Sequence, residues 1–368
     1  MKYRVGIIGG GNFGTAVGNI LSTSLLKRHS ECGDKIKNAD GTYEFDKEVK
    51  IWIYDEKTEL GGSLCQEINE KHENFKYLPG IPLKENLKFV TTDEDYKKLL
   101  KESDILVYVL PTFIAKKFAL DLKKYDIRNK EIITLMKGFI AIENKKPILF
   151  SEFVDSLQLG HKVSALMGAN IANQMHKGPC EMTFGIKNNR MAAEDLFTTE
   201  ITKISVINDN IAVELCGALK NIVAIAFGIC DGLGLNVNTQ MSILRKGLLE
   251  MNEFTRLFKE RSGIKTEKSI TNVNDHVMFQ SCGIPDLFVT CISGRNSNGG
   301  KRIGQGETVK QIEDTMNGQK IHGVCTAEFV YDYLMMEDIG IQKKFPLFLS
   351  VYEIAKEIKK PSEIQNII

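Results

Sequence analysis

Val5-Gly6-Ile7-Ile8-Gly9-Gly10-Gly11-Asn12-Phe13-Gly14 carries an apolar run straight into three consecutive glycines, with a fourth three residues on. The spacing is G-x-G-x-x-G at the junction of a strand and a helix, the arrangement that holds a dinucleotide pyrophosphate. Each glycine has its own task. Gly9 permits the tight turn off the strand, Gly11 lets backbone approach the phosphates, and Gly14 lets the helix pack on the strand. A helix from about Asn12 to Leu25 would then aim its free N–H groups and positive dipole end at the phosphates. The competing reading is a glycine-rich turn that binds nothing.

A dinucleotide site usually has an acidic residue at the end of the second strand, about 20 residues on, to hold the ribose hydroxyls. Here the next convincing strand is Val49-Lys50-Ile51-Trp52-Ile53-Tyr54, followed by Asp55 and Glu56. The spacing is about twice the norm, and the polar stretch His29–Glu48 accounts for it as a surface insertion. No Arg follows the strand to meet a 2′-phosphate, which favours NAD over NADP. Asp55 and Glu56 fit either a ribose contact or a solvated strand end.

A length of 368 residues suggests two domains. A net charge of +1 gives no electrostatic case for nucleic acid or a membrane surface. No apolar run approaches 18 residues, so no bilayer span is expected. The chain enters its first strand at once, which leaves no room for a signal peptide, and Asn366-Ile367-Ile368 is not a peroxisomal address. Eight cysteines without a C-x-x-C pair suggest reduced, mostly buried thiols in an intracellular compartment.

Ile105–Val109, Ile132–Met136 and Val163–Met167 are short apolar runs with helical stretches between them. That alternation predicts an α/β fold with a parallel sheet, a Rossmann-like doubly wound domain. Pro111, Lys137-Gly138 and Gly168-Ala169-Asn170 follow the three runs, at strand ends where such sheets bind ligands. After Ile207 the pattern turns helical, with one long helix from Asp209 to about Gly228. The partition is a nucleotide-binding domain over 1–207 and an all-helical C-terminal domain over 208–368.

On the long helix, Lys220 shares a face with Cys216, Gly217, Val223, Ala224 and Phe227. A lysine on that small, apolar face should be desolvated, which lowers its pKa and suits it to acid–base work. The alternative is a lysine that snorkels its amine to water. Pro285 marks the first turn of a further helix on which Asp286 and Thr290 share a face. Asp286 could orient an ammonium with Thr290 beside it, or be a charge favoured by the helix dipole. Gly294-Arg295-Asn296 could grip a phosphate, or be a surface turn.

Several ordered blocks extend these motifs: His72-Glu73-Asn74-Phe75-Lys76-Tyr77-Leu78-Pro79-Gly80, Met136-Lys137-Gly138, Met167–Ala172, Glu214–Asn221, Gly294-Arg295-Asn296 and Asn317-Gly318-Gln319-Lys320. With the glycine loop they make the chain resemble the eukaryotic NAD-dependent glycerol-3-phosphate dehydrogenases over nearly its whole length. The resemblance implies a two-domain enzyme, usually a homodimer, that interconverts dihydroxyacetone phosphate and sn-glycerol 3-phosphate. It implies Lys220 as general acid and base, with Lys137 as a second cation near the substrate. It implies that Asn170, Asn221, Asp286 and Thr290 hold Lys220 and the substrate hydroxyls, and that Arg295 and Asn296 bind the substrate phosphate. Gly9, Gly10, Gly11, Asn12, Phe13, Gly14, Tyr54, Ala172, Arg295 and Lys320 would contact NAD.

Three positions depart from the family pattern. Phe13 stands where Trp is common. After Pro111 the aromatic comes two residues on, at Phe113, with Ile114 next. His322 replaces a frequent Gln two residues beyond Lys320. The pair His72 and Glu73 lacks the further ligands a metal needs, so a loop role and no metal are expected. Two competing functions remain at this stage. One is a related dehydrogenase acting on a phosphorylated sugar acid or a hydroxyacyl thioester. The other is an NAD-responsive regulator without turnover, against which the joint presence of Lys137, Lys220 and Asp286 speaks.

Overall fold

The computed structural model describes residues 2–32, 44–59, 61–125, 130–143, 146–159, 163–186, 192–264, 276–316 and 320–367. Two compact units divide the chain. The first comprises Met1–Met136, Phe150–Leu166 and Asn170–Asn210, and the second Lys137–Leu149, Met167–Ala169 and Ile211–Ile368. Two short segments thus group with the C-terminal unit, and no single cut in the chain describes both units.

The first unit holds an eight-stranded sheet: β1 (Lys2–Ile8), β2 (Glu44–Trp52), β3 (Leu87–Val90), β4 (Ile105–Tyr108), β5 (Glu131–Thr134), β8 (Val163–Met167), β9 (Cys180–Gly185) and β10 (Thr202–Ile207). Their order is β10-β9-β8-β5-β4-β1-β2-β3. From β3 through β8 the pairings are parallel, as is that of β9 with β10. The order runs outward from β1 in both directions, so the loop after β1 sits at the switch point of the sheet. Strand residues such as Ile7, Ile51, Ile105, Val107, Ile132 and Ile133 are buried, as β-branched side chains in a sheet covered on both faces should be. The helices of this unit are α1 (Asn12–Cys32), α2 (Leu64–Lys71), α3 (Asp93–Glu102), α4 (Thr112–Asp121), α5 (Phe150–Ser156) and α6 (Ala192–Phe197).

Several boundaries differ from the sequence reading. Helix α1 runs to Cys32 instead of Leu25, and β2 begins at Glu44 instead of Val49. The supposed surface insertion at 29–48 is therefore helix and strand at its two ends, and residues 33–43 lie outside the described set. The reason is visible in the packing: Phe45 is fully buried and its carbonyl lies 2.9 Å from His29 Nε2. β4 and β5 stop one and two residues early. β3, β9 and β10 are further strands, each with polar residues that interrupt an apolar run.

The second unit is mainly helical, with a small antiparallel hairpin of β6 (Ala141–Glu143) and β7 (Lys146–Ile148). Its helices are α7 (Asn210–Gly232), α8 (Val237–Arg261), α9 (Ile284–Ser293), α10 (Arg295–Gly304), α11 (Val309–Asp314), α12 (His322–Leu334), α13 (Ile339–Gln342) and α14 (Pro346–Ala355). Against the sequence expectation, α7 is long and apolar enough to cross a bilayer by length and composition. Its apolar window is 94% buried within the protein, as befits a core helix.

Helices α7 and α10 meet backbone to backbone. A Cβ on Gly228 would lie 2.0 Å from Ser297 O, and one on Gly300 would lie 2.2 Å from Ile225 O. One turn further along each helix, Gly232 and Gly304 are equally closed, against Lys301 O and Ile229 O. This seam fixes α10, and with it Arg295 and Asn296 at the N-terminus of α10, on the flank of α7. Elsewhere the Glu250 carboxylate on α8 accepts from Leu347 N and Phe348 N, both at 2.9 Å, and so caps α14.

Candidate active site

Lys220 lies on α7, 4% exposed. Its amine contacts Asp286 Oδ1 at 2.5 Å and donates to Thr290 Oγ1 at 2.8 Å. The other Asp286 oxygen accepts from Lys137 Nζ at 2.9 Å, and Lys137 also donates to Gly168 O at 3.3 Å. Thr290 Oγ1 donates to Asp286 O one turn back on α9, which orients its lone pairs toward Lys220. Gly217, three residues before Lys220, leaves room for this arrangement, since a Cβ there would lie 3.3 Å from Lys137 Cγ. Two ammonium groups thus share one carboxylate that is 2% exposed.

The electrostatics follow from that geometry. Burial, reinforced by the Lys137 charge, pushes the Lys220 amine from its ordinary 10.5 down to about 7, with Asp286 opposing the fall. Burial alone would raise the Asp286 carboxyl, but Lys137 and Lys220 outweigh it and hold the group below its ordinary 3.8. The lysine on the apolar face is therefore desolvated and braced, and its amine does not reach water.

The neighbouring residues fall differently from the sequence reading. Asn221 is not among the partners of Lys220. Its Nδ2 donates to Gly217 O, and its Oδ1 accepts from Asn296 Nδ2 at 2.8 Å. Asn296 Oδ1 in turn accepts from Gly323 N at 2.9 Å, so this amide ties α7, α10 and α12 together. Arg295 is exposed at the first position of α10, where the Gly294 cap offers no side chain to the free N–H groups. Lys320 donates to Glu313 Oε2 at 2.7 Å, and the other Glu313 oxygen accepts from Ile321 N. Residues Asn317-Gly318-Gln319 of that block lie outside the described set. His322 starts α12; burial, then the Arg295 charge, hold its imidazole below the ordinary value while Glu313 opposes them.

In the first unit the glycine loop has the shape a pyrophosphate needs. Gly9 adopts φ +112°, and a Cβ there would lie 2.2 Å from Val109 O. A Cβ on Gly14 would lie 1.9 Å from Gly9 O, so α1 rests directly on the turn. Gly10 is closed against Ile53. Gly11 alone has nothing within 4 Å of its Cβ position, which leaves the approach to its backbone open. These residues fit a dinucleotide, with Asn12 opening α1 behind the loop. Phe13 is half-buried against the sheet core, where an aromatic ring in place of the family's Trp is readily housed.

Other sequence candidates have partners of their own. Asp55 Oδ1 accepts from Ser63 Oγ and Cys65 N at the start of α2, and Glu56 binds Lys76 and Tyr77. Neither carboxylate is simply solvated. Tyr54 is 78% exposed just past β2, and Ala172 is buried in the sheet core. Phe113, also 78% exposed, and half-buried Ile114 lie in the first turn of α4, which follows Pro111. Asn170 Nδ2 donates to Glu181 O, while its Oδ1 is buried without a partner. His72 takes a left-handed conformation, φ 50°, at the end of α2, and Glu73 Oε1 accepts from Gly80 N. Among the described residues no group of three His, Cys, Asp or Glu could hold a metal ion.

Comparison with known proteins gives the family. Residues 4–192 match the N-terminal profile, and residues 209–366 the C-terminal profile, of NAD-dependent glycerol-3-phosphate dehydrogenase. The chain belongs to this family. It is similar to a glycerol-3-phosphate dehydrogenase [NAD(+)] of Cuphea lanceolata, 36% identical over 99% of this chain and 91% of that protein. A relative named as the cytoplasmic enzyme, from Drosophila ezoana, is 35% identical over 100% of this chain and 97% of its own length. The solved Plasmodium falciparum glycerol-3-phosphate dehydrogenase superposes with a TM-score of 0.84 at 28% identity, covering 100% of this chain and 95% of that one. As a member of the glycerol-3-phosphate dehydrogenases the chain is an NAD-dependent oxidoreductase, and its Rossmann-like sheet and helical second domain are those of the family.

Sequence reasoning missed a residue in each unit of this glycerol-3-phosphate dehydrogenase. Asn74, inside a block quoted only for its resemblance, is fully buried and bonded to the glycine loop. Glu313 holds Lys320 and the start of α12. Neither has a spacing signal, because each meets its partner through the fold and not along a helix or strand.

Proposed function

We propose that Lys220 is the general acid that protonates the carbonyl oxygen of dihydroxyacetone phosphate during reduction, and the base that removes the proton from sn-glycerol 3-phosphate in reverse. An ammonium has three hydrogens. Asp286 Oδ1 and Thr290 Oγ1 take two, and the third is left for the substrate oxygen. The hydride at C2 is what NADH supplies when bound. Lys220 gives up one proton per turnover and regains it from solvent, while Asp286 stays ionised throughout. Lys137 keeps a second positive charge beside the developing alkoxide, where a desolvated cation acts most strongly.

Arg295 and the uncapped N-terminus of α10 suit a phosphate dianion. Asn296 contributes less than the sequence suggested, since its oxygen and one N–H are already engaged. The buried, unpartnered Asn170 Oδ1 suits a substrate hydroxyl as donor. The exposed Tyr54 edge, the Ala172 backbone and Lys320 remain cofactor contacts in this reading. A cytoplasmic location, as the Drosophila relatives are named, and assembly as a homodimer complete it.

The observation that carries the proposal is the buried Lys220 amine held on a buried carboxylate. Lys220→Met tests it. The kcat for dihydroxyacetone phosphate should fall by roughly 10²–10⁴, the loss expected for a general acid, while NADH still binds by fluorescence titration. Near-normal turnover would remove Lys220 from the mechanism.

A further inference from the structure

The glycine loop is held from behind by a residue far from it in sequence. Asn74 is fully buried. Its Nδ2 donates to Gly10 O at 3.1 Å and to Thr15 Oγ1 at 2.9 Å. Thr15 Oγ1 donates to the same Gly10 oxygen at 3.0 Å. Asn74 Oδ1 accepts from Tyr77 N at 3.1 Å, which fixes the amide so that its nitrogen must face the loop. The 74–77 turn closes a second link, since Asn12 Nδ2 at the start of α1 donates to Tyr77 O at 2.5 Å.

The consequence lies in the peptide plane. No peptide bond among the described residues is cis. In a trans peptide the carbonyl of one residue and the N–H of the next point in opposite directions. Two donors pull the Gly10 carbonyl inward, so the Gly11 N–H must point outward. A Cβ on Gly11 would meet nothing within 4 Å, so the protein leaves the approach to this residue open. Only glycine fits at position 10, because a Cβ there would lie 2.0 Å from Ile53 Cγ2.

We propose that Asn74 is a positioning residue for the cofactor pyrophosphate: by holding the Gly10 carbonyl inside the loop it aims the Gly11 N–H at the phosphates. Thr15 is the second half of the same device. The inference rests on the glycine loop being the dinucleotide site, and it assigns to the His72–Gly80 block a task in cofactor binding.

Asn74→Asp is the decisive variant. It keeps the size and the acceptor for Tyr77 N but sets a carboxylate against the Gly10 carbonyl. NADH affinity, measured by fluorescence titration, should weaken by about tenfold or more, the scale of one lost buried hydrogen bond. The inhibition constant of ADP-ribose, which has the pyrophosphate but no nicotinamide, should rise by the same factor. The KM for dihydroxyacetone phosphate should stay within about twofold, which a generally damaged fold would not allow. Thr15→Val, which removes one of the two donors, should weaken NADH by about threefold. A folded Asn74→Asp with unchanged NADH affinity overturns the proposal, as does a loss for NADH that ADP-ribose does not share. If Asn74→Asp does not fold, unchanged affinity in Thr15→Val overturns it. Failure of the wild-type protein to bind NADH would instead sink the dinucleotide reading itself.

Discussion

The glycine loop of the first unit and the lysine cluster of the second solve binding problems by opposite means. The loop works with backbone: four of its six residues are glycines, and its selectivity lies in which of their Cβ positions are closed and which one is open. The cluster works with charge: Lys137, Lys220 and Asp286 come from three distant segments and meet on one carboxylate. A backbone device fits within six consecutive residues, because adjacent peptides are already neighbours. A charge device has no such economy of sequence, since partners 149 positions apart can meet only through the fold.

That contrast makes Asp286, after Lys220 itself, the place where substitution should do most. Asp286→Asn leaves two amines facing each other without the shared carboxylate. Lys220 then loses its charged form, and kcat for the reduction should fall by about 10²–10³, the range for removing one preorganised electrostatic partner. Stopped-flow NADH binding should be retained. A variant with wild-type kcat would mean that the cluster is structural only.

A pair of glycine variants sharpens the other side. Gly14→Val drives a side chain into Gly9 O and should cost about 1–3 kcal/mol of stability as α1 is pushed off the turn, seen as a lower midpoint in urea. Gly11→Ala meets no protein atom. Its stability should match wild type while NADH affinity drops by about tenfold, the loss of roughly one good contact. Equal stability losses in both would erase the distinction between closed and open positions.

The most gradual effect expected is on pH dependence. Lys220 is lowered from 10.5 to about 7, so its protonated form is present below that value and lost above it. In the proposed role reduction at saturating substrates needs that proton, and its rate should fall about tenfold per pH unit above roughly pH 7. Oxidation needs the neutral amine and should rise through the same window. Parallel slopes in the two directions would assign the titration to some other group.

What the sequence discloses follows the same division. The glycine spacing, the strand ends and the desolvated face of α7 are periodic or local, so they can be read directly. Strands β3, β9 and β10 were not, because Lys88, Glu181, Thr183, Lys203 and Ser205 interrupt their apolar character. The pairing of Lys137 with Asp286 was not read at all, since resemblance to a family placed Lys137 only near the substrate. The engagement of Asn221 with Asn296, away from Lys220, was hidden even from that, since a motif preserves residue types and not the direction an amide faces. Asn74 shows the same blind spot: nothing about an asparagine in a loop announces which carbonyl it will hold.

The seam between α7 and α10 has an implication for tolerance to mutation. Positions 228, 232, 300 and 304 bear no functional group, yet even one added methyl at any of them would collide with the opposing main chain. A saturation survey scored on growth should therefore find these four silent residues as intolerant as the reactive lysine. Inherited damage at them would act by displacing Arg295, with the Lys137, Lys220 and Asp286 cluster left chemically intact.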